Sequence, residues 1–229
     1  MKTEYLLFNV LIATLSTVSV FIFRKYGARW PNIKATFFAF CVMCLPYLIW
    51  DHFVTNIWWS FNDRYTLGMK IGALPIEEVL FFCSVPWSCL IIWENLKTKM
   101  EGSLALPIET FLLLSSLVFG IFSFNKTWYY TAIVSFVVAL VCYMSWFSDH
   151  WFNKKNSLLF LCGVSILILI FNGYLTARPI VLYSQEFMTN IRIWTIPIED
   201  FFYGLALLSG IVIVYERSLH KDHLLDSNS

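Results

Sequence analysis

The stretch ALPIEEVLFF, residues 73–82, places Glu77 and Glu78 side by side inside an otherwise apolar run. A second stretch, TIPIEDFFYG at residues 195–204, repeats the arrangement. Proline suits the first turn of a helix, because its missing N–H would have no partner there. Each stretch therefore predicts the beginning of an apolar helix that carries two acids in its first turns.

The whole chain is strongly apolar. Of its 229 residues, 59% are hydrophobic and 14% are charged, whereas roughly a quarter of the residues of a soluble domain are charged. A soluble core could not bury this much apolar surface, so we expect an all-α integral membrane protein embedded in a lipid bilayer. The net charge of +1 gives no basis for nucleic-acid binding.

Seven stretches are long enough to cross a bilayer, which requires roughly 20 mainly apolar residues. They are residues 4–23, 34–50, 73–93, 104–124, 128–147, 157–175 and 196–216. The first stretch has no small-residue cleavage site and runs directly into Arg24 and Lys25. We therefore interpret it as a retained span and not as a signal peptide.

The distribution of Lys and Arg predicts the orientation, because cytoplasmic loops are enriched in these residues. One side carries Arg24, Lys25, Arg29, Lys34, Lys97, Lys99, Lys154, Lys155, Arg217 and Lys221. The other side carries Lys2, Arg64, Lys70, Lys126, Arg178 and Arg192. The sequence thus predicts a multi-pass protein of the cell membrane with a cytoplasmic C-terminus.

The chain contains an internal repeat at an offset of 122 positions. The matched pairs are Lys70 and Arg192, Ile71 and Ile193, Pro75 and Pro197, Ile76 and Ile198, Glu77 and Glu199, Glu78 and Asp200, Trp93 and Tyr215, and Glu94 and Glu216. With one gap, Asp51 falls opposite Asn172. The repeat indicates two copies of one helical unit.

The repeat predicts the domain organisation. Residues 1–100 and 127–218 form two three-helix units, residues 101–126 supply a linker helix, and residues 219–229 form a disordered tail. The linker returns the chain to its starting side, so both units cross the membrane in the same sense. Such parallel repeats are related by an axis along the membrane normal, which would bring both acid-bearing helices to one interface.

The two acid pairs indicate a site that handles protons. A helix N-terminus stabilises a carboxylate by about 0.3–1 kcal/mol, but an ionised group at mid-bilayer costs roughly 2.5–3.5 kcal/mol on insertion scales. Since burial outweighs the dipole, and two carboxylates in one dry site do not both ionise readily, we expect at least one acid to hold a proton. The alternative is that these acids cap their helices and extend to the surface.

Aromatic rings stand four residues after these acids, on the same helix face. The pairs are Glu77 and Phe81, Glu78 and Phe82, and Glu199 and Tyr203. Aromatic faces stabilise cations without reacting with them. Protonation of an alkene, followed by stabilisation of the carbocation, would require such a combination of acids and rings.

Together with the two Pro-Ile-Glu-acid motifs, Asp51 in LIWDHF and NGYLTARPIVLY at residues 172–183 make the chain resemble a known family. It is similar to the membrane-integral lycopene cyclases of the two-component type, with both halves fused. The resemblance covers nearly all of residues 1–218. It implies non-redox closure of β-ionone rings on lycopene and related linear carotenoids, giving β-carotene by way of γ-carotene.

The residues in these motifs provide a candidate site for that chemistry. The predicted catalytic residues are Glu77, Glu78, Glu199 and Asp200, and the predicted substrate-binding residues are Phe81, Phe82, Tyr203, Asp51 and Asn172. We favour Glu78 and Asp200 as the reacting pair, tuned by Glu77 and Glu199. For Asp51 and Asn172, capping of a helix end remains an alternative, and the chain could also form a homo-oligomer.

No cofactor or metal is predicted. The chain has no GxGxxG motif for a flavin or nicotinamide cofactor. Cys41 and Cys44 form a CxxC, but they stand mid-helix without a second Cys or His pair, so we expect buried small side chains.

Other classes of membrane protein fit less well. A retinal protein would need a lysine in the last span, and residues 196–216 contain none. A membrane prenyltransferase would need aspartate-rich motifs for magnesium diphosphate, and no DDxxD occurs. A proton-coupled transporter remains the alternative hypothesis, because parallel repeats and buried acids suit it, although its polar residues would normally be spread over several spans.

Overall fold

In the computed structural model, which describes residues 2–99, 102–104 and 108–226 and side chains through Lys221, seven long helices dominate. They are α1 (Glu4–Phe23), α2 (Ile33–Val54), α3 (Ile76–Leu96), α4 (Ile108–Asn125), α5 (Tyr129–Trp146), α6 (Lys155–Ala177) and α7 (Ile198–Asp226). Each is long and apolar enough to cross a membrane. The prediction of an all-α membrane protein with seven spans is therefore confirmed.

Short strands lie in the connections between helices. They are β1 (Trp59–Phe61), β2 (Lys70–Ile71), β3 (Leu74–Pro75), β4 (Val181–Tyr183), β5 (Arg192–Ile193) and β6 (Ile196–Pro197), accompanied by 3-10 turns at Arg24–Tyr26 and Trp151–Asn153. We call the side on which α1, α3, α5 and α7 begin the N-terminal face, and the opposite side the C-terminal face. All six strands lie at the N-terminal face.

Several helix boundaries differ from the predicted ones. Helix α1 begins and ends where predicted, whereas α3 and α7 begin after the hairpins β2–β3 and β5–β6, whose apolar residues had been counted into the spans. Pro75 has an extended backbone and is the N-cap of α3. The predicted start of the fourth span, at 104, adjoins residues 105–107, which lie outside the described residues.

Helices α2, α3, α4, α6 and α7 end later than predicted. Helices α2 and α6 continue past their predicted ends, so Asp51 and Asn172 lie inside helices, in their last turns. Helix α7 continues through Asp226. Within the segment predicted as a disordered tail, residues 219–229, the described residues 219–226 are helical and continue α7.

The internal repeat is visible in the backbone. Strands β2 and β3 pair antiparallel, as do β5 and β6, and the paired residues of the two hairpins are 122 positions apart. The amide of Ile76 donates to the carbonyl of Met69 at 3.0 Å, and the amide of Ile198 donates to that of Ile191 at 2.9 Å. Each acid helix therefore follows its own hairpin, and the two hairpins have the same pairing and the same hydrogen bond to the helix.

At the interface, each half packs one of its helices against the acid helix of the other half. Helix α1 packs on α3, α5 packs on α7, and α3 contacts α7. Helix α2 of the first half packs along α7, whereas α6 of the second half meets α3 near the C-terminal end of α3. There Asn156 donates to the carbonyl of Lys97 at 2.9 Å, and the Trp93 and Phe160 rings meet at 5.6 Å. Toward the N-terminal face, the looser α3–α6 contact leaves room for a cavity.

Strands β1 and β4 cover this interface at the N-terminal face. They pair antiparallel, with Trp59 opposite Tyr183 and Phe61 opposite Val181. Because one strand comes from each half, the sheet joins the two long connections into a single cover. Their aromatic side chains face the space between the acid helices.

At the C-terminal face, repeat-matched residues exchange hydrogen bonds. The Trp93 indole donates to Glu216 at 2.7 Å, and the Tyr215 hydroxyl donates to Glu94 at 2.6 Å. Lys97 lies between the carboxylates, at 2.7 Å from Glu94 and 3.1 Å from Glu216. Although partial burial alone would lower it, these two acids raise the pKa of Lys97 above its ordinary value. This cluster ties the two halves together.

The Lys97 contacts predict a measurable contribution to stability. Replacing Lys97 by methionine leaves two neighbouring carboxylates without their shared cation, and we expect a loss of about 1 kcal/mol, because the lysine is partly solvent-exposed. For a chain of this size, that corresponds to a Tm about 2–4 °C lower. The exposed Lys99→Met is the matched control; equal Tm values for the two variants in thermal unfolding would contradict the role of Lys97.

Candidate functional site

A narrow cavity of about 120 Å³ lies between α3, α6 and α7, with α1 along one side. On α3 its lining runs from Glu78 to Cys89, which corresponds to roughly 16 Å at 1.5 Å per residue. Its polar end lies near the N-terminal face, and the remaining walls are almost entirely apolar. The cavity is therefore elongated and apolar, with one polar end.

Three carboxylates, from both halves of the chain, line the polar end. They belong to Glu78 on α3, Asp200 on α7 and Asp51 on α2. Glu78 and Asp51 are 8% and 2% exposed, and their carboxylates interact electrostatically. Glu78 and Asp200, the second acids of the two motifs, thus meet Asp51 in one cavity.

Phenolic hydroxyls and an amide hold these carboxylates. Tyr5 donates to Glu78, and Tyr130 donates to Asp200 at 3.3 Å. Each tyrosine is the second residue of the first helix of its half, so the two contacts are equivalent in the repeat. The Asn172 amide also donates to Asp200. These donors orient the acids in the absence of substrate.

Asp51 is held by an aromatic residue of the other half. The Tyr203 hydroxyl donates to Asp51 at 2.7 Å, and the Tyr203 ring packs against Tyr47 at 4.5 Å. The sequence had placed Tyr203 beside Glu199, four residues earlier. Tyr203 lines the cavity, whereas Glu199 does not, so the Tyr203 hydroxyl meets Asp51 instead.

The first acids of the two motifs do not line this cavity. Glu77 accepts a hydrogen bond from the Leu67 amide at 2.6 Å, and Glu199 accepts one from the Thr189 amide at 2.7 Å. Leu67 and Thr189 are again 122 positions apart. Thr131 adds a hydrogen bond to Glu199 at 2.7 Å. These carboxylates anchor the connection that precedes each acid helix and support the site indirectly.

Aromatic rings complete the cavity wall. Phe81 and Phe82 line it beside Glu78, and Trp59 and Tyr183 close it from the β1–β4 sheet. Enclosure in the protein, together with the negative charge of Asp200, raises the pKa of Tyr183 well above its ordinary value. Its hydroxyl stays protonated and can donate to Asp200. The carboxylates are therefore surrounded by rings on the cavity side.

Comparison with protein families accounts for the repeat and for the acid motifs. A family model described as lycopene cyclase matches residues 2–96 and residues 125–218. The chain belongs to the lycopene cyclase family. The two matched segments correspond to the two halves, so this member of the family carries both halves in one chain. No curated protein and no solved structure matches it.

Membership of the lycopene cyclase family makes the chain a multi-pass membrane protein of carotenoid biosynthesis, and its substrates are carotenoids. Within the part of the chain that the structure describes, no group of three or more His, Cys, Asp or Glu side chains could hold a metal ion. At the polar end of the cavity, the reactive groups are carboxylates and phenols, whereas Ser88 and Cys89 line its apolar part.

The sequence analysis missed two residues that hold the carboxylates of the cavity, Tyr5 and Tyr130. They follow no motif and stand far from the acids in sequence, although each lies at the start of the first helix of a repeat. An alignment of the two halves helix by helix could have singled them out. Trp59 and Tyr183, in the connections 51–72 and 176–195, reach the cavity through the β1–β4 pairing, which no local pattern predicts.

Proposed function

We propose that the protein is a lycopene β-cyclase that starts ring closure by protonating the end of a linear carotenoid. The observation that carries this proposal is the meeting of Glu78, Asp51 and Asp200 at one end of a narrow apolar cavity. The reaction is an isomerisation, since no atom is added to or removed from the substrate overall.

The size of the cavity limits how much of the substrate it can hold. An engineered apolar cavity of about 150 Å³ binds benzene, and this one measures about 120 Å³. A linear carotenoid is several times longer than a benzene ring. One end of the substrate would therefore fold inside the cavity while the rest of the chain lies outside it.

Glu78 is the proposed proton donor, with Asp51 sharing its proton. Two carboxylates that interact in a dry site favour a state with one proton between them. Each accepts a single phenolic hydrogen bond, from Tyr5 and Tyr203 respectively. The proton moves from Glu78 to the terminal double bond of the substrate, and the positive charge forms on the neighbouring tertiary carbon.

Asp200 is the proposed base. Hydrogen bonds to the charged form of a carboxylate favour that form, and Asp200 receives them from Asn172, Tyr130 and Tyr183. The internal double bond attacks the first cation, which forms the carbon–carbon bond of the ring and moves the charge into it. Asp200 then accepts the proton of the ring carbon that formed the new bond, and the double bond that results is the one of a β ring.

The cavity rings stabilise the cation between these two proton transfers. The faces of Phe81, Phe82 and Tyr203 present negative π density, and among the described residues no thiol or amine lines the polar end. Exclusion of water by the β1–β4 sheet prevents capture of the cation as an alcohol.

We also propose that the C-terminal face is cytoplasmic, because it carries most of the Lys and Arg residues.

The proposed function is tested by expression in a lycopene-accumulating bacterium. We expect conversion of lycopene to a cyclic product, identified by chromatography as β rings. Unchanged lycopene, together with proton movement in vesicles, would instead support the transporter hypothesis.

A reaction in D₂O tests the use of separate acids for donation and removal. Because Glu78 delivers a solvent-derived deuteron and Asp200 accepts a substrate proton, we expect close to one deuterium per ring by mass spectrometry. Cyclic product without deuterium would show that a single carboxylate passes the proton removed from one substrate molecule to the next, which would contradict the two-acid assignment.

A further inference from the structure

The cavity is too small for a whole carotenoid, so the uncyclised chain must leave it between two helices. At three of the four helix boundaries around the cavity the neighbouring helices contact each other: α1 with α3, α3 with α7, and α6 with α7. The β1–β4 sheet covers the N-terminal face. In the described part of the chain, α1 and α6 do not pack along their length, which leaves the seam between them as the remaining boundary.

The seam is closed at its N-terminal end by polar and aromatic contacts. Arg178 lies 2.6 Å from Glu4, and the Tyr174 hydroxyl donates to Glu4 at 2.7 Å. Just below, the Phe8 ring packs against Phe171 at 5.6 Å and against Tyr174 at 5.7 Å. These contacts join α1 to α6 at the level of the carboxylates, so a chain cannot leave there.

Below the aromatic contacts, small apolar walls separate the cavity from the lipid. Ile12 of α1 and Val164 and Leu167 of α6 line the cavity. Their neighbours Leu11 and Ile166 are 50% and 58% exposed and face outward. The cavity extends roughly 16 Å from the acids, about half of a hydrocarbon core that is roughly 30 Å thick. Its apolar end is therefore near the middle of the bilayer, where a dissolved carotenoid is available.

We propose that the α1–α6 seam, between Ile12 on one side and Val164 and Leu167 on the other, binds the uncyclised polyene chain of the substrate. This inference rests on the proposed function. The acyclic end would enter through the seam from the lipid, reach the carboxylates, and leave the rest of the chain between the two helices. A hydrocarbon chain without polar groups matches these walls, because they offer neither charge nor hydrogen bonds.

The experiment measures carotenoid binding separately from cyclisation. Glu78→Gln keeps the shape of the cavity but removes the donor, so lycopene that enters remains unchanged and is detected by its visible absorption on the purified protein. In that background, Leu167→Trp should fill the seam and lower the bound lycopene by about tenfold or more. Ile166→Trp places the same ring one residue away, toward the lipid, and should leave binding unchanged.

A second pair of variants tests the opposite wall and guards against misfolding. Ile12→Trp should lower lycopene binding, and Leu11→Trp should not; thermal unfolding identifies any variant that fails to fold. With Glu78 intact, Leu167→Trp should raise KM for lycopene more than it lowers kcat. Full lycopene binding by folded Leu167→Trp and Ile12→Trp would overturn the seam assignment, although wild-type cyclisation would still support the proposed function.

Discussion

Glu78→Gln should lower the rate of lycopene cyclisation by about 100-fold or more, the range for removal of a general acid. Glutamine keeps the size of the side chain and can accept the Tyr5 hydrogen bond, but it cannot donate a proton to an alkene. The measurement is the initial rate of cyclic product formation by purified protein, with protein insertion checked by thermal unfolding. The structure predicts that the loss will be in kcat.

The adjacent Glu77→Gln is the matched control. The side-chain oxygen of the glutamine can still accept the hydrogen bond that the Leu67 amide donates to Glu77 at 2.6 Å. The side chain at this position does not line the cavity. We therefore expect nearly unchanged activity. The opposite result, with an active Glu78→Gln and an inactive Glu77→Gln, would show that the wrong acid of the motif has been assigned to the chemistry.

Asp200→Asn should lower ring formation to a similar extent, about 100-fold to 10,000-fold, but at a later step. The proton would still be delivered from Glu78, and the cation, lacking its base and the nearby negative charge, would return to starting material. We therefore expect lycopene recovered from a reaction in D₂O to gain deuterium with Asp200→Asn and to gain none with Glu78→Gln. Mass spectrometry of the recovered substrate distinguishes the two.

Glu199→Gln is the control for this second prediction, because the amide oxygen can still accept the Thr189 and Thr131 hydrogen bonds. It should cyclise lycopene at nearly the wild-type rate. If Asp200→Asn and Glu78→Gln gave the same unlabelled lycopene, the assignment of separate donor and base residues would fail, and both acids would have to act in the first proton transfer.

The sequence was sufficient to predict the membrane class, the seven spans and the repeat, because hydropathy and a fixed offset are local, countable signals. It also favoured the second acid of each motif for the chemistry. The reason for that difference became visible only in three dimensions: adjacent helix positions point about 100° apart. Glu78 consequently faces the cavity, while Glu77 faces the connection that precedes its helix.

The remaining parts of the site depend on contacts between distant segments. Asp51 and Asn172 were noticed as polar residues at span ends, but whether they capped helices or approached the acids depended on where α2 and α6 end. Tyr5, Tyr130 and the β1–β4 cover come from four separate parts of the chain. Hydrogen bonds between such segments leave no periodic pattern in the sequence.

The unequal packing of the two halves has a consequence for the course of the reaction. Where α6 leaves a cavity beside α3, α2 fills the matching space beside α7, and Met43 lies so close to Gly210 that an added β-carbon would stand 2.2 Å from its methyl group. Under the proposed function, the duplicated chain therefore has one reaction site and not two. A bicyclic product then requires the monocyclic intermediate to leave the site, to reverse its orientation in the lipid and to bind again by its acyclic end, in competition with lycopene.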